Sequence, residues 1–486
     1  MGGEMELKQA VYTSLLTQIQ FGLYKYGESL PGMEEICRQT HISVDTVKAA
    51  YHRLRQEGYI SLSQRSGAKV AVRYSPEERN RLIQDFFAQR KTALIDLSRS
   101  IWPLFGWAGW LSLKHTPPDV IGQLAHMDIQ SPNAMYQYLE QKFDALGNGL
   151  LSRLIRQIYL FFQGPFYSVK ENEEELQRGM YWLEEVTSKS RSGEWDALAS
   201  VLKTAQDELA QSVAQFYEKR ITGAQTKEET VFGWSVYKKS SQLRYSLAIE
   251  ILTGISRGVY PEGSYLPPAE KLSREKGVSV STIRRTVSLL NSIGAVKSSR
   301  TLGARVLSPL QSTRNCDFTH PDIQVRLLEV AESLQIYALS SRAVSKITLD
   351  SVDKGSLLQW KQRLSGLQNS RRYEMTTYYS LELIARFAPY RTIRVIYSEL
   401  LKLLFWGNPL RGLRGDTEKM NQYFEPAFRT MVRALEEQDF ASFSAVLEEL
   451  LLYELRIMEE QLRQLGIMES DAILIPGESE VWECGR

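Results

Sequence analysis

Displaced by 236 positions, one stretch of this chain falls on another without a gap. Gly22, Tyr24, Gly27, Leu30, Pro31, Glu34, Arg38, Ser43, Val44, Thr46, Leu54, Gly58, Ser63, Gly67, Ala68 and Val70 all meet identical residues, from Gly258 to Val306. Turn glycines, a Leu-Pro pair and apolar positions coincide together, so a small domain has been duplicated. The longer stretches that follow, roughly 80 to 235 and 312 to 475, echo each other more faintly. There Trp195, Leu198, Val201 and Leu202 resemble Phe440, Phe443, Val446 and Leu447 at a displacement of 245. At 486 residues the chain has room for several domains. The expected division is 1–75, 76–236, 237–310 and 311–486, with a seam in the polar stretch Gly223 to Glu229.

The small repeat has a legible order. Val11, Leu15, Leu16 and Ile19 recur at helical spacing until Gly22 to Gly27 interrupt them. A short helix is expected from Met33 to Gln39, with Ile36 and Cys37 facing inward. Ser43 then suits an N-cap, Val44, Val47, Ala50, Tyr51 and Leu54 give an amphipathic helix, and Gly58 stops it. Tyr59 to Ser63 and Ala68 to Val72 alternate like two strands around Gln64 to Gly67. Helix, helix-turn-helix and hairpin make a winged helix. The second copy repeats it, with Ser279 as cap, Val280 to Ile293 as third helix, Gly294 as stop and Thr301 to Gly303 at the wing tip.

The larger repeat lacks strand alternation. Ile323, Leu327, Val330 and Leu334 form one apolar stripe, and Met431, Leu435, Phe440, Phe443, Val446 and Leu450 form another. The expected fold class is therefore mainly α, with two winged helix-turn-helix domains each followed by an all-helical bundle.

Both small copies resemble the DNA-binding domain of the GntR family of bacterial transcription regulators. The motif stands as Leu30-Pro31, Ile42-Ser43, Thr46-Val47, Leu54, Glu57-Gly58 and Gly67, and again as Leu266-Pro267, Val278-Ser279, Thr282-Ile283, Leu290, Gly294 and Gly303. Two departures matter. Val44 and Val280 replace an Arg common after the Ser of the recognition helix, and Glu34 and Glu270 stand where other members carry Arg. The base preference of relatives therefore does not transfer.

A recognition helix reads base edges with side chains near its N-terminus. The candidates are Ser43, Asp45, Thr46, Lys48, Ala49 and His52 in the first copy, and Ser279, Ser281, Thr282, Arg284, Arg285 and Ser288 in the second. Around Gly67 and Gly303, the wing residues Arg65, Lys69, Arg300 and Arg305 are expected at phosphate or in the minor groove. The two sets differ, which predicts two unlike half-sites. Overall charge is only +2, so any nucleic-acid signal is local. Residues 1–75 hold nine Lys or Arg against seven acids, and residues 238–310 twelve against four. The second copy is thus expected to supply more of the salt-dependent affinity.

The helical segments are similar in length and position to FCD, a ligand-sensing domain of this family. Many such domains hold a metal through Asp and His, but here Leu139, Leu381, Phe428 and Leu450 fall at ligand places, and only His115, His126 and His320 occur in these segments. Neither metal nor cofactor is expected. The aromatic interior includes Trp102, Phe105, Trp107, Trp110, Tyr373, Tyr378, Tyr379, Phe387, Tyr390, Phe405 and Trp406. Core packing explains these residues. The sharper reading is an effector pocket using Trp102, Trp107, Tyr378 and Tyr379, with Arg386, Arg391 or Arg394 as anionic anchor.

Catalysis is not expected. The segments are too short for the aminotransferase-like domain fused to some relatives, and GxSxG, HExxH and GxxxxGK[ST] strings are missing. Cys37, Cys316 and Cys484 are too scattered for a disulfide framework. Residues 1–9 show no signal peptide, and the apolar windows 150–166 and 395–406 carry charges, so a cytoplasmic protein without membrane contact is expected. Relatives act as homodimers on palindromes. Here the expectation is an intramolecular pseudo-dimer on one double-stranded DNA operator, under a small-molecule effector, with higher self-association left open. The alternative is a constitutive architectural DNA binder whose helical domains serve assembly alone.

Overall fold

A computed structural model describes residues 3–63, 67–129, 131–222, 229–236, 243–299, 301–413, 417–477 and 480. It is 75% helical. Contacts divide the described residues into two compact units, 3–234 with 390–392, and 235–389 with 393–480. No helix among the described residues is long and apolar enough to cross a membrane.

The first unit opens with α1 (Gly3–Gln20), α2 (Met33–Thr40) and α3 (Val44–Gln56), followed by β1 (Ile60–Ser63) and β2 (Gly67–Val70). Val11, Leu15 and Ile19 of α1 are buried, as are Val47, Ala50 and Leu54 of α3, and the two helices pack together. Gly58 ends the α3 segment at φ +80°, a left-handed backbone that costs glycine no Cβ clash. Two residues at the start of α3 depart from the sequence expectation. Val44, assigned to the apolar face, is 54% exposed, because the start of α3 turns Thr46 and Val47 into the core and leaves Val44 outside it. Ser43 occupies the N-cap position without a side-chain cap bond, and its hydroxyl pairs with that of Thr46 at 2.9 Å.

The first bundle comprises α4 (Pro76–Ala88), α5 (Lys91–His115), α6 (Pro118–Leu124), α7 (Pro132–Asp144), α8 (Gly149–Ile158), α9 (Gly164–Tyr167), α10 (Glu173–Ser192) and α11 (Trp195–Arg220). A π-helical turn, Tyr159–Gln163, joins α8 to α9 and receives α1 of the head. Phe87, fully buried, gathers Phe21 of the head with Phe86 and Phe216 of the bundle at ring separations of 5.9, 5.2 and 4.8 Å. Phe21 also meets Phe86 edge to face at 5.5 Å, the arrangement such rings favour, so this cluster ties the head to the bundle.

The second unit repeats the head as α12 (Leu243–Ser256), α13 (Ala269–Lys276), α14 (Val280–Ser292), β3 (Val296–Ser299) and β4 (Gly303–Val306). Wing register is conserved pair for pair. Ile60 faces Val70 and Ser63 faces Gly67, just as Val296 faces Val306 and Ser299 faces Gly303. Even the isolated bridges Ser29 to Lys69 and Tyr265 to Arg305 correspond at a displacement of 236.

Its bundle contains α15 (Pro309–Asn315), α16 (Pro321–Ser351), α17 (Lys354–Ser370), α18 (Thr376–Phe387), α19 (Arg391–Leu403), a 3₁₀ run (Leu404–Leu413), α20 (Thr417–Glu437) and α21 (Phe440–Gln464). α16 lies along α21, burying the expected stripe Ile323, Leu327, Val330 and Leu334. Buried hydroxyls of α16 tie it to α19 and α21. Tyr337 Oη donates to the Tyr397 carbonyl at 2.7 Å, and Ser345 Oγ donates to Ser444 Oγ at 2.7 Å.

Candidate nucleic-acid interface

α3 presents Ser43, Asp45, Lys48 and His52 to solvent on one flank, while Val47, Tyr51 and Leu54 hold the opposite flank in the head. Tyr51 Oη donates to the Pro31 carbonyl at 2.6 Å, which ties the recognition helix to the Leu-Pro turn. Thr46 departs from expectation. It is 3% exposed, and its hydroxyl serves Ser43, so it shapes the helix start and offers nothing to a base edge. Ala49 is half-buried.

On α14, Ser279, Ser281, Arg284, Arg285 and Ser288 are exposed and Thr282 is half-buried. Here the cap forms as expected, with the Thr282 N–H donating to Ser279 Oγ at 3.1 Å. The Ser279 hydroxyl also lies 2.9 Å from that of Ser281 and 2.8 Å from that of Thr282, a cluster of hydroxyls beside two guanidiniums. The α3 flank instead carries a carboxylate and an imidazole. Arg284 pairs with Glu270 of α13 at 3.4 Å, both side chains well exposed. Such a surface pair is weak, so the guanidinium remains transferable to phosphate or base.

The wings end in Gly67 at φ +66° and Gly303 at φ +88°, each with open space where a Cβ would stand. Lys69 is exposed on β2. Arg305, its counterpart, folds back to donate from Nε to the Gly263 carbonyl at 3.2 Å, so in this conformation it braces the head. Arg65 and Arg300 lie outside the described residues. Leu302, 66% exposed at the second wing tip, and the exposed pair Arg38 and Arg274 were missed as candidates. Identity of that arginine pair across the 236-residue displacement was the available signal.

The proposed effector residues do not converge. Trp102 lines a cavity of about 60 Å³ with Phe105, Leu139, Lys142, Gln163 and Gln206. That space holds roughly two waters and cannot hold an aromatic effector. Burial pushes the Lys142 ammonium beside it down to about 8. Trp107 is buried away from that cavity. Tyr378 and Arg386 line a cleft of about 800 Å³ in the second unit, whereas Tyr379 lies outside its lining, under the guanidinium of Arg363 at 4.9 Å. No cluster of three or more His, Cys, Asp or Glu suited to a metal occurs among the described residues. His320 Nδ1 instead accepts from the Asp322 N–H at 3.1 Å, at the start of α16.

Residues 7–70 and 245–306 match the family described as bacterial regulatory proteins, gntR family. Among solved structures, Streptococcus agalactiae GntR is similar at 16% identity and TM-score 0.21, over 44% of this chain and 99% of that one. E. coli McbR/YncC is similar at 16% identity and TM-score 0.22, over 43% and 98%. A transcriptional regulator (GntR family member) from Pseudomonas syringae pv. tomato str. DC3000 is similar at 15% identity and TM-score 0.19, over 48% and 91%. No curated protein matches the chain.

Proposed function

We propose that this chain, a member of the GntR family of bacterial regulators with two tandem units, binds one operator through both winged heads and reads two unlike half-sites. The observation that carries this reading is the contrast between the exposed flanks of α3 and α14. Ser43, Asp45, Lys48 and His52 form one, and Ser279, Ser281, Arg284 and Arg285 form the other. Hydroxyls and guanidiniums suit guanine edges and phosphates, whereas an acid and an imidazole select a different donor and acceptor pattern.

Each head joins its own helical domain, with boundaries at 1–75, 76–236, 237–310 and 311–486. Carrying both heads on one polypeptide makes the second contact effectively intramolecular and raises avidity without adding any contact. A small-molecule effector would shift DNA affinity only by its differential affinity for two arrangements of head and bundle.

Selection of bound sequences from a random duplex pool, followed by titration of Lys48→Ala and Arg284→Ala, tests the proposal. Each substitution should weaken binding and flatten the salt dependence by about one unit per lost phosphate contact. Selected sites with two identical inverted halves would refute the unlike half-sites. Unchanged affinity in both variants would refute the assignment of the recognition helices.

A further inference from the structure

The two heads meet their own bundles differently. Ser14, Thr17 and Gln18 of α1 and Phe21 just beyond it are all buried, and α1 packs on α4, α9 and the π-helical turn of the first bundle. A displacement of 236 places Glu250, Thr253, Gly254 and Arg257 at the same four positions of the second head. There Glu250 and Arg257 are exposed and Thr253 and Gly254 half-buried, and all four line the cleft of about 800 Å³ between α12 and helices α18 and α19. A face that the first copy closes with bundle side chains is open in the second. The volume lies within the usual range for small-ligand sites, roughly 300 to 1,000 Å³.

The chemistry of the walls is specific. Tyr260, Tyr378 and Phe405 give it aromatic surface, with the Tyr378 and Phe405 rings 5.7 Å apart. Arg257 crosses from the head to the bundle and meets Glu382 of α18 at 3.2 Å. Glu382 also holds Arg363 at 2.6 Å, so it keeps a cationic partner if Arg257 leaves. Arg386 follows Glu382 by one helical turn on the same face. It is exposed, lies over the Phe387 ring at 5.0 Å, and pairs with no carboxylate among the described residues.

We propose that this cleft binds a small aromatic anion, its ring against Tyr260, Tyr378 and Phe405 and its charged group between Arg257 and Arg386. The anion replaces Glu382 as the partner of Arg257 and so breaks an ion pair that ties the second head to its bundle. α12 packs directly on α14. The ligand therefore acts one helix away from the surface that reads DNA, a role that rests on the regulator reading above.

Phenylphosphate, with inorganic phosphate as the arm lacking a ring, is the probe for calorimetry on the full chain. Phenylphosphate should bind saturably at one site at least about tenfold more tightly than inorganic phosphate, since only it uses the aromatic wall. Arg386→Ala should weaken it about tenfold, the usual scale for one charge-assisted hydrogen bond. Ser398→Trp, which fills the cleft from α19, should abolish it. No binding to the unsubstituted chain at millimolar phenylphosphate, or equal binding to the chain and both variants, would overturn the proposal. Operator binding without ligand is measured on the same preparations. Its loss with the phenylphosphate site intact would remove the regulator reading alone, and its retention without that site would remove the cleft alone.

Discussion

Arg156 Nη1, on the first bundle, donates to the carbonyl oxygen of His41 at 2.6 Å. His41 is the left-handed residue, φ +47°, at the turn between α2 and α3. The same nitrogen reaches the Thr40 carbonyl at 3.0 Å, and the His41 ring lies 3.3 Å from Glu140 of α7. The bundle therefore grips the turn that aims the first recognition helix.

Replacing Arg156 by Ala should cost about 1–2 kcal/mol, because two carbonyls at a helix end lose a charged donor. Urea unfolding measures the loss, and faster amide exchange at residues 40–43 would localise it. Arg156→Lys should recover part of the loss, since both bonds leave one nitrogen and an ammonium carries three donors. No recovery at all by Lys would contradict the two-carbonyl geometry.

Glu270 shares the Arg284 guanidinium at 3.4 Å. Glu270→Gln should raise affinity for DNA by roughly threefold to tenfold, through removal of a negative charge from the phosphate-facing side and release of Arg284. Stability should hardly change, because exposed pairs contribute about 0–1 kcal/mol. Anisotropy titrations at two salt concentrations decide it, and weaker binding by the variant would count against this orientation of α14.

The two stop glycines should respond differently to alanine. Gly58, at φ +80°, has open space around it, so Gly58→Ala should cost about 1–2 kcal/mol of backbone strain. A Cβ on Gly294 would lie 2.2 Å from the Ser312 carbonyl oxygen and 2.9 Å from the Cys316 nitrogen, both backbone atoms. Gly294→Ala should therefore cost about 3 kcal/mol or more, since α15 must shift as well. Equal midpoint changes in urea unfolding would show that the α14 to α15 junction is looser than described.

Burial pushes the Glu448 carboxyl up from 4.5 to about 7, against the opposing pull of Arg342 at 3.2 Å. The folded chain thus holds this proton more tightly than the unfolded one. The associated destabilisation is absent below about pH 4.5, grows as pH rises towards 7 and is complete above it. Glu448→Gln should raise stability at pH 8 by on the order of 2 kcal/mol and flatten the fall between pH 5 and 8. Thermal melts across that range should show it, and an unchanged pH profile would contradict the assignment.

The heads were readable from sequence because their punctuation is local. Gly22, Gly27, Gly58 and Gly67 all sit at positive φ, as do Gly258, Gly263, Gly294 and Gly303, and each marks a turn that few other residues tolerate. Thr46 was misjudged because helical spacing locates a face only once the bounds of the core are known, and the first turn of α3 is tucked in at Thr46 while Val44 escapes. Trp102, Trp107 and Tyr379 were harder still. Aromatic content marks burial in a bundle, but which rings border empty space follows from packing between residues more than a hundred positions apart. The cleft beside Arg386 arises where a head meets a bundle, and no single window of sequence contains both walls.

Lys48 and Arg284 stand at corresponding places on α3 and α14 yet are separately encoded. In an assembly of identical subunits, any mutation at a reading helix lands on both arms at once and must suit both. Here a codon change at one leaves the other untouched, so on the two-headed binding proposed above the target of one arm can drift while the other still holds the DNA.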